Sequence, residues 1–182
     1  MKHKKLSIKE LNRKSVEEYK KATKLPFKIV LDNIRSAHNV GAVFRIADAF
    51  LVKEIYLCGI TPTPPNRDIH KTALGAEQTV SFKYFESTQE CIFKLKKENI
   101  NIIALEQARG SISMDNLELL KEDIPVALVL GNEVSGVSDF FIDICDICLE
   151  IPQFGTKHSL NVSTAASIAC WEISKRLYSI CD

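Results

Sequence analysis

The sequence predicts an α/β fold in which a mostly parallel sheet is flanked by helices. Short segments of strand character alternate along the chain with longer segments of helical periodicity, and this alternation is typical of a helix-covered parallel sheet. One segment, 124–130, is apolar throughout (IPVALVL), as expected for a strand that is buried on both faces. No internal repeat is visible in the 182 residues, so we expect a single domain.

Six strands and four helices are expected. The strands are Phe27–Leu31, Glu54–Cys58, Val80–Phe85, Ile100–Leu105, Val126–Leu130 and Ile147–Ile151. The helices lie near Asn39–Phe50, Thr88–Glu98, Ser138–Ile144 and Leu160–Ser179. The segment Ile60–Asp68 (ITPTPPNRD) is too rich in proline for regular structure. We expect it to be an exposed loop that forms a wall near the substrate.

Positive charge is concentrated at the N-terminus. Residues 1–28 contain ten Lys or Arg and three Glu, a net charge of +7, whereas the remainder carries −6. We therefore divide the chain into a basic arm, residues 1–25, and a domain, residues 26–182. Ser7 and Glu10 have the spacing of a capping box, so a short amphipathic helix is expected there, with an apolar face formed by Ile8, Leu11, Val16 and Tyr19. Either the arm is a solvated terminus, or its cations attract nucleic-acid phosphates.

The composition favours a cytoplasmic globular protein. Hydrophobic residues make up 46% of the chain, yet no apolar run is long enough to cross a bilayer, and the start MKHKK is not followed by an apolar signal region. The six cysteines are expected to be reduced. Cys145 and Cys148 form a CxxC pair without a second pair or a histidine at zinc-finger spacing, so we expect no metal site there.

The first candidate site segment is 32–50 (DNIRSAHNVGAVFRIADAF), which follows the first strand. If Asn39 opens the helix, then Gly41, Arg45 and Asp48 lie on one face, and Gly41 clears space beside Arg45. Two roles for Arg45 are open from the residues alone. It is either a functional cation or the solvated partner of Asp48.

Two further segments follow expected strands. LGNEVSG (130–136) comes directly after the apolar strand, and ligands of open α/β sheets bind beyond the carboxyl ends of such strands. It contains neither GxGxxG nor GKS/GKT, so it predicts neither a dinucleotide fingerprint nor a P-loop. In 151–168 (IPQFGTKHSLNVSTAASI), Pro152 ends a strand and Ser159 and Asn161 crowd a helix start with side-chain oxygens. Such a start offers free N–H groups to a ligand, although an ordinary capped helix has the same pattern. Thr156, Lys157 and His158 either touch a ligand or are simply exposed.

Taken in order, NVGAVFR (39–45), LGNEVSG (130–136) and IPQFGTKHSLNVSTAASI (151–168) closely resemble the three signature motifs of the SpoU/TrmH-type RNA ribose 2′-O-methyltransferases of the SPOUT superfamily. The resemblance covers residues 27–177. It implies an S-adenosylmethionine-dependent enzyme that methylates a ribose 2′-hydroxyl of RNA and works as a homodimer. It also implies a C-terminal deep trefoil knot, a rare feature that sequence periodicity does not suggest.

The resemblance assigns roles to particular residues. It places S-adenosylmethionine against Leu105, Gly131, Asn132, Ile151 and Leu160, with the Leu105–Glu106 strand end nearby and Gly131 allowing close approach to the backbone. The catalytic set that it implies is Asn39, Arg45, Glu133, Ser159 and Asn161. The side chains of the first motif are expected to complete the cofactor site of the partner subunit, and the small face of Asn161, Ala165 and Ala169 would allow close approach of helices.

Arg45 is the residue expected to act most directly on the reaction. A guanidinium with a pKa above about 12 is a poor base, so we expect it to clamp RNA phosphate and stabilise the developing alkoxide, with phosphate or water accepting the proton. The other four catalytic candidates position the reactants. Further RNA contacts are expected from the arm, at Lys4, Lys5, Arg13 and Lys14.

Two alternatives belong to other functional classes. A catalytically silent RNA-binding protein with the same fold would lose the polar motif residues, which are all present here. A flavodoxin-like protein for a small ligand would have no affinity for S-adenosylmethionine. Since only the short arm precedes the domain, with no added RNA-binding domain, tRNA is expected as substrate in preference to rRNA.

Overall fold

The computed structural model describes residues 3–7, 9–119 and 124–178. Within this part of the chain, all pairings between neighbouring strands are parallel, in a seven-stranded sheet of order β3-β2-β1-β6-β4-β7-β5. The strands are β1 Leu25–Asp32, β2 Val52–Cys58, β3 Phe82–Phe85, β4 Asn101–Leu105, β5 Ile112–Ser113, β6 Val126–Leu130 and β7 Ile147–Glu150. All six predicted strands are confirmed, with small differences at their ends. The two-residue β5 was not predicted, because it is too short to show a period.

The α-helices are α1 Val16–Lys21, α2 Ala37–Ala49, α3 Arg67–Ala73, α4 Thr88–Lys97, α5 Asp139–Ile142 and α6 Val162–Tyr178. Short 3₁₀ segments lie at Ala76–Gln78 and Met114–Leu119. The four predicted helices are confirmed, although Asn39 does not open α2: Ser36 is its N-cap, and its side chain accepts from Asn39 N–H. Ser179, the predicted end of the last helix, lies outside the described residues.

The prediction that 60–68 is wholly irregular was wrong at its end. Asn66 is the N-cap of α3, and its side-chain oxygen accepts hydrogen bonds from Asp68 and Ile69 N–H. Arg67 and Asp68 are therefore helical. The preceding prolines concealed this helix start, because proline interrupts a helix interior but not the segment before an N-cap.

Two apolar layers cover the two faces of the sheet. On one face, strand residues such as Phe27 and Ile29 belong to a core with Phe44 of α2 and Ile173 of α6. On the other face, Val30 belongs to a core with α4 and α5 residues, including Cys91, Leu95 and Phe141. Ala169 is fully buried in the first core, so it is not available to another subunit as the sequence suggested.

The strand register brings four chain segments to one edge. Leu130 of β6 is paired with Leu31 of β1 and Leu105 of β4, and Leu105 is paired with Leu149 of β7. The residues that follow these four leucines therefore emerge side by side at the carboxyl edge: Asp32, Glu106, Gly131 and Glu150. The central position of β6 between β1 and β4 creates this convergence.

The arm contains a helix at a position different from the one expected. The capping box is formed by Ser15 and Glu18, at the start of α1, and not by Ser7 and Glu10. Ser7 and Glu10 do hydrogen-bond, but only a turn follows, and Ile8 lies outside the described residues. Tyr19 is buried in the first core, so the end of the arm packs against the domain.

No helix in the described part of the chain has the length and apolar character needed to cross a membrane. Among these residues, no group of three or more His, Cys, Asp or Glu side chains is arranged to hold a metal ion. Cys145 and Cys148 are free thiols, and burial raises the pKa of both, that of Cys148 to about 11. A raised pKa disfavours the thiolate that redox work requires.

A buried lysine connects β1 to α4. Lys28 Nζ donates to Glu98 Oε2 (2.5 Å) and to Tyr56 Oη (2.5 Å), and it lies 3.4 Å from Glu54 Oε2. Hydrogen bonds from Lys28, and then from Lys94, lower the pKa of Glu98 to about 2. A buried cation is tolerated only when it is paired, so this cluster holds the C-terminal end of α4 to the sheet.

The Glu98 interaction predicts a specific pH dependence. Because the folded pKa lies below the unfolded value of about 4.5, ionised Glu98 stabilises the fold above pH 4.5, and this stabilisation is lost as the pH falls towards 2. We expect Glu98→Gln to lower the free energy of unfolding at pH 6 and to reduce its decline between pH 5 and about 3, as measured by urea denaturation. Glu90→Gln, which removes a carboxylate of α4 that forms no ion pair among the described residues, is the matched control. An unchanged decline in the Glu98 variant would contradict the assignment.

Candidate active site

The loop Gly131–Ser138, which follows β6, is closed on itself. Asn132 and Gly136 exchange two backbone hydrogen bonds of 2.9 Å, and Asn132 Oδ1 accepts from Val134 N–H (2.8 Å) and Ser135 N–H (3.2 Å). A Cβ at Gly131 would lie only 2.1 Å from the backbone of Gly136 and Val137. Gly131 is therefore required for the loop to close. The expected close approach of the cofactor to its backbone stays a prediction.

Two carboxylates attach the end of this loop to neighbouring strands. Glu106 Oε2, just beyond β4, accepts from Val137 N–H (3.0 Å), and Asp32 Oδ2, at the end of β1, accepts from Ser138 N–H (2.8 Å). Asp32 is buried and also accepts from Thr88 Oγ1 (2.9 Å). Val137 N–H and Ser138 N–H are thus fixed to the ends of β4 and β1, the two strands that neighbour β6.

Glu133 joins the first and second motifs. Its Oε2 accepts from Arg35 N–H (2.9 Å), and its Oε1 accepts from Ser36 N–H (3.1 Å) and Asn39 Nδ2 (2.9 Å). Burial alone would raise the pKa of Glu133, but the hydrogen bonds outweigh it and lower the pKa below 4.5. Glu133 is therefore an anion held by fixed donors at the start of α2, where the helix dipole also favours a negative charge.

Asn161 adds the third motif to the same network. Its Nδ2 donates to Asn39 Oδ1 (3.2 Å), while its Oδ1 accepts from Ser163 N–H (2.9 Å) at the start of α6. Asn39, Glu133 and Asn161, which are far apart in sequence, thus form one hydrogen-bonded chain. Their geometry fits the positioning role that was expected of them.

A cleft of about 490 Å³ lies beside this network. It is lined by all five predicted cofactor residues, Leu105, Gly131, Asn132, Ile151 and Leu160, and by three of the predicted catalytic residues, Glu133, Ser159 and Asn161. Its volume is in the range of small-molecule sites. The lining includes the acidic side chains Glu106, Glu133 and Glu150 but no Lys, Arg or His from the described residues, so it favours a ligand that carries positive charge.

The sequence placed the end of the strand at Leu105–Glu106 near the cofactor, but it indicated neither the anchoring role of Glu106 nor the contact made by Gln107. Glu106 lines the cleft and fixes the Gly131–Ser138 loop, and Gln107 Nε2 donates to His158 O (2.8 Å) in the loop after β7. Their position just past a predicted parallel strand was the available signal. Asp32 was also missed as an anchor, because its partner Ser138 is 106 residues away in sequence.

Arg45 does not lie in this cleft. Its exposed side chain lines a separate hollow of about 690 Å³, together with Lys71, Thr72 and residues of α6. The alternative role of Arg45 as the partner of Asp48 is not observed: Asp48 Oδ2 accepts from Thr79 Oγ1 (2.5 Å), and Arg45 forms no ion pair with the residues that the structure describes. Gly41 does not clear space for Arg45 either, since a Cβ there would meet Ile69 O and Thr72 Oγ1 of α3.

The cations of the arm are not brought to the cleft. Lys4, Lys5, Arg13 and Lys14 are all exposed, and none lines the cleft or the hollow. Their predicted contact with RNA stays a prediction.

The chain is similar to known proteins over most of its length. The model of the SpoU rRNA Methylase family matches residues 26–171. The 23S rRNA (guanosine-2′-O-)-methyltransferase RlmB of Nitrosomonas europaea is 33% identical over 144 residues, which are 79% of this chain and 54% of that protein. The chain spans 54% to 60% of the length of this and two further curated relatives that it matches.

Solved structures show the same fold. The A. aeolicus TrmH/SpoU tRNA modifying enzyme superposes with a TM-score of 0.79 at 22% identity, over 91% of this chain and 84% of that one. The AdoMet-bound rRNA methyltransferase from Sinorhizobium meliloti superposes with a TM-score of 0.76 at 25% identity, over 85% of this chain and 60% of that one. The family match spans all three motifs and the strands that precede them. With its parallel sheet and the cleft between its three loops, this chain belongs to the SpoU rRNA methylase family.

Proposed function

We propose that the chain transfers a methyl group from S-adenosylmethionine to a ribose 2′-hydroxyl of RNA. The observation that carries this proposal is the cleft at the carboxyl edge of β4, β6 and β7, which is enclosed by the second and third motifs and joined to the first through Glu133. Relatives named for guanosine-2′-O-methylation and for tRNA/rRNA methylation support the reaction class.

The residues of the cleft fit S-adenosylmethionine. When bound, the cofactor supplies an electrophilic methyl group on a cationic sulfur. Apolar side chains of Leu105, Ile151 and Leu160 would enclose its adenine, and the carboxylate of Glu106 would favour its positive charge. The S. meliloti neighbour was solved with AdoMet bound, which supports the same ligand here.

We also propose that the active form is a homodimer. Arg45 lies outside the cleft of its own chain, and exposed apolar side chains surround the same region of α2 and α6. Trp171 is 55% exposed, with its ring centroid 6.2 Å from that of Phe50, and Leu74 is 66% exposed. A second copy that covers this surface would bury it and bring Arg45 to the cleft of its partner.

Within its own chain Arg45 forms no ion pair with a described residue, so its charge is available to the substrate. Its guanidinium would bind the phosphate beside the target ribose and stabilise the alkoxide that develops as the hydroxyl loses its proton. The proton passes to phosphate or water. Asn39, Glu133 and Asn161 hold the three loops in register, and the exposed Ser159 at the rim of the cleft orients the ribose.

The course of the chain after β7 supports the expected trefoil knot, which we propose as part of the fold. From β7, on one side of β4, the chain returns to place α6 against α2 and β1 on the other side. Along the way, the carbonyl of His158 is held by Gln107, in the loop after β4.

The substrate class is open to direct measurement. We propose tRNA in preference to rRNA, and an RNA substrate implies action in the cytoplasm. Purified protein, labelled S-adenosylmethionine and separate tRNA and rRNA fractions should yield 2′-O-methylated RNA, with more label in tRNA. RNA binding without transfer to any fraction would instead indicate the silent RNA-binding protein.

The role of Arg45 predicts a separation of catalysis from cofactor binding. Arg45→Ala and Arg45→Lys should each lower kcat on the order of 100-fold, since lysine lacks the planar fork. The affinity for S-adenosylhomocysteine, measured by calorimetry, should stay within a few-fold of wild type. Full activity in the lysine variant would exclude the role of Arg45 as a phosphate clamp. Loss of cofactor affinity in either variant would show that Arg45 has been assigned to the wrong site.

The closed loop predicts that Gly131 tolerates no side chain. Gly131→Ala should lower stability by about 1–3 kcal/mol and weaken S-adenosylhomocysteine binding, because the new Cβ forces the backbone of Gly136 and Val137 to move. Gly155→Ala is the matched control, since a Cβ there meets no atom within 4 Å. Equal cofactor affinity in the two variants, measured by calorimetry, would disprove the role of loop closure.

The arm is tested by charge removal, because a deletion through residue 24 would also remove the buried Tyr19. Replacing Lys4, Lys5, Arg13 and Lys14 with Gln should weaken RNA binding and make its salt slope shallower by up to about 3. Cofactor affinity and kcat at saturating RNA should be unchanged. If RNA affinity and slope match those of wild type, these residues belong to a solvated terminus.

A further inference from the structure

The loop between β7 and α6 carries an aromatic side chain that the reaction described above does not use. Phe154 is 96% exposed, more than any other large hydrophobic residue in the described part of the chain. Its neighbour Gly155 has no atom within 4 Å of the position of an added Cβ. The segment around Phe154 therefore projects into open space, and no part of the described chain shelters the ring.

The ends of this loop are nevertheless fixed. Ile151 is half-buried against the first core and lines the cleft. On the other side of the projecting segment, His158 O accepts from Gln107 Nε2 (2.8 Å), and Asn161 caps α6. Gln153, directly before Phe154, also lines the cleft. Phe154 is thus an exposed ring on a loop that is anchored beside the cofactor cleft.

The charge of this loop is opposite to that of the cleft. No Asp or Glu occurs from Ile151 to Trp171, whereas Lys157 and His158 are exposed within the loop. The cleft itself is lined by three glutamates. A polyanion that approaches this edge would be repelled by the cleft and attracted to the loop.

We propose that Phe154 stacks on a base of the RNA substrate next to the target nucleotide, and that Lys157 contacts the adjoining phosphate. This inference rests on the proposed RNA methyl transfer. Bases that are unstacked from a single strand bind aromatic rings through their π-faces, and lysine contributes electrostatic attraction without sequence preference. A ring in open solvent, next to a cation and without acidic neighbours in its loop, has the complementarity that such a base and its phosphate require.

A second copy of the chain is a less suitable occupant. The exposed side chains of Leu74 and Trp171 and the partly buried Phe50 adjoin the hollow of Arg45, where Phe50 and Leu74 form part of the lining. Phe154 lines neither that hollow nor the cleft itself.

The experiment compares four variants at Phe154 with a control elsewhere. Phe154→Ala and Phe154→Leu should weaken RNA binding about tenfold, within the range for loss of one stacked base. Phe154→Trp and Phe154→Tyr should bind as wild type does, because they retain a ring. Phe93→Ala is the matched control, since Phe93 is 72% exposed on α4, which contributes no residue to the lining of the cleft, and this variant should bind RNA normally.

Three further readouts separate stacking from other roles. The affinity for S-adenosylhomocysteine and the molecular mass in solution should be the same in all variants. The KM for RNA should rise in the alanine and leucine variants, with little change in kcat at saturating RNA. In Phe154→Trp, RNA should quench tryptophan fluorescence more than it does in wild type, whose single tryptophan is Trp171.

Each contrary result has a distinct meaning. If wild-type protein transfers no methyl group, the proposed function fails, whatever Phe154 does. If wild type is active but the alanine variant binds RNA normally, the stacking proposal is overturned. It is also overturned if leucine restores RNA binding as well as tryptophan does, if the alanine variant loses cofactor affinity, or if that variant changes the oligomeric state.

Discussion

The hydrogen bonds of the Glu133 carboxylate are the interaction on which the rest of the site depends. They join the loop after β6 to the start of α2, and through Asn39 they reach Asn161 at the start of α6. A carboxylate is suited to this position because its two oxygens accept three N–H donors at once, and the same donors keep it ionised. An amide in its place would offer a single acceptor. The motifs therefore act as one unit: the polar groups that face the cleft are also the groups that hold its walls together.

Positive and negative charges lie on different surfaces of the chain. The cleft is acidic, the hollow of Arg45 is basic, and the exposed loop around Phe154 carries a lysine and a histidine without acidic neighbours. A cationic methyl donor and a polyanionic RNA have opposite electrostatic requirements, so one surface cannot serve both well. This separation fits the position of Arg45 outside the cleft of its own chain, and the proposed homodimer would bring the two surfaces together.

The sheet order makes this site possible at all. Because β6 lies between β1 and β4, the residues that follow three neighbouring strands meet at one edge, and the Gly131–Ser138 loop can be fixed on both sides by Asp32 and Glu106. Gly131 permits the tight closure that directs the two amides to these carboxylates. The buried Lys28 cluster has a similar anchoring role elsewhere on β1, where Lys28 Nζ donates to Glu98 and holds the C-terminal end of α4 to the sheet. Rigid strands thus position loops that would otherwise be mobile.

The sequence by itself determined six of the seven strands of the described sheet, four of the helices and many of the residues around the cleft, since hydrophobic periodicity and the order of the three motifs are local properties. It did not determine α3 behind its prolines or the two-residue β5. It also misplaced the helix in the arm, because Ser7 and Glu10 have the same capping-box spacing as Ser15 and Glu18, and only the second pair starts a helix. Only the tertiary structure decided that Gly41 makes room for α3 and that Gly131 closes its own loop. It also decided that Asp32 and Glu106 anchor that loop, and that Arg45 faces away from the cleft. These outcomes depend on which strands become neighbours, and contacts between residues about a hundred positions apart leave no local pattern in the chain.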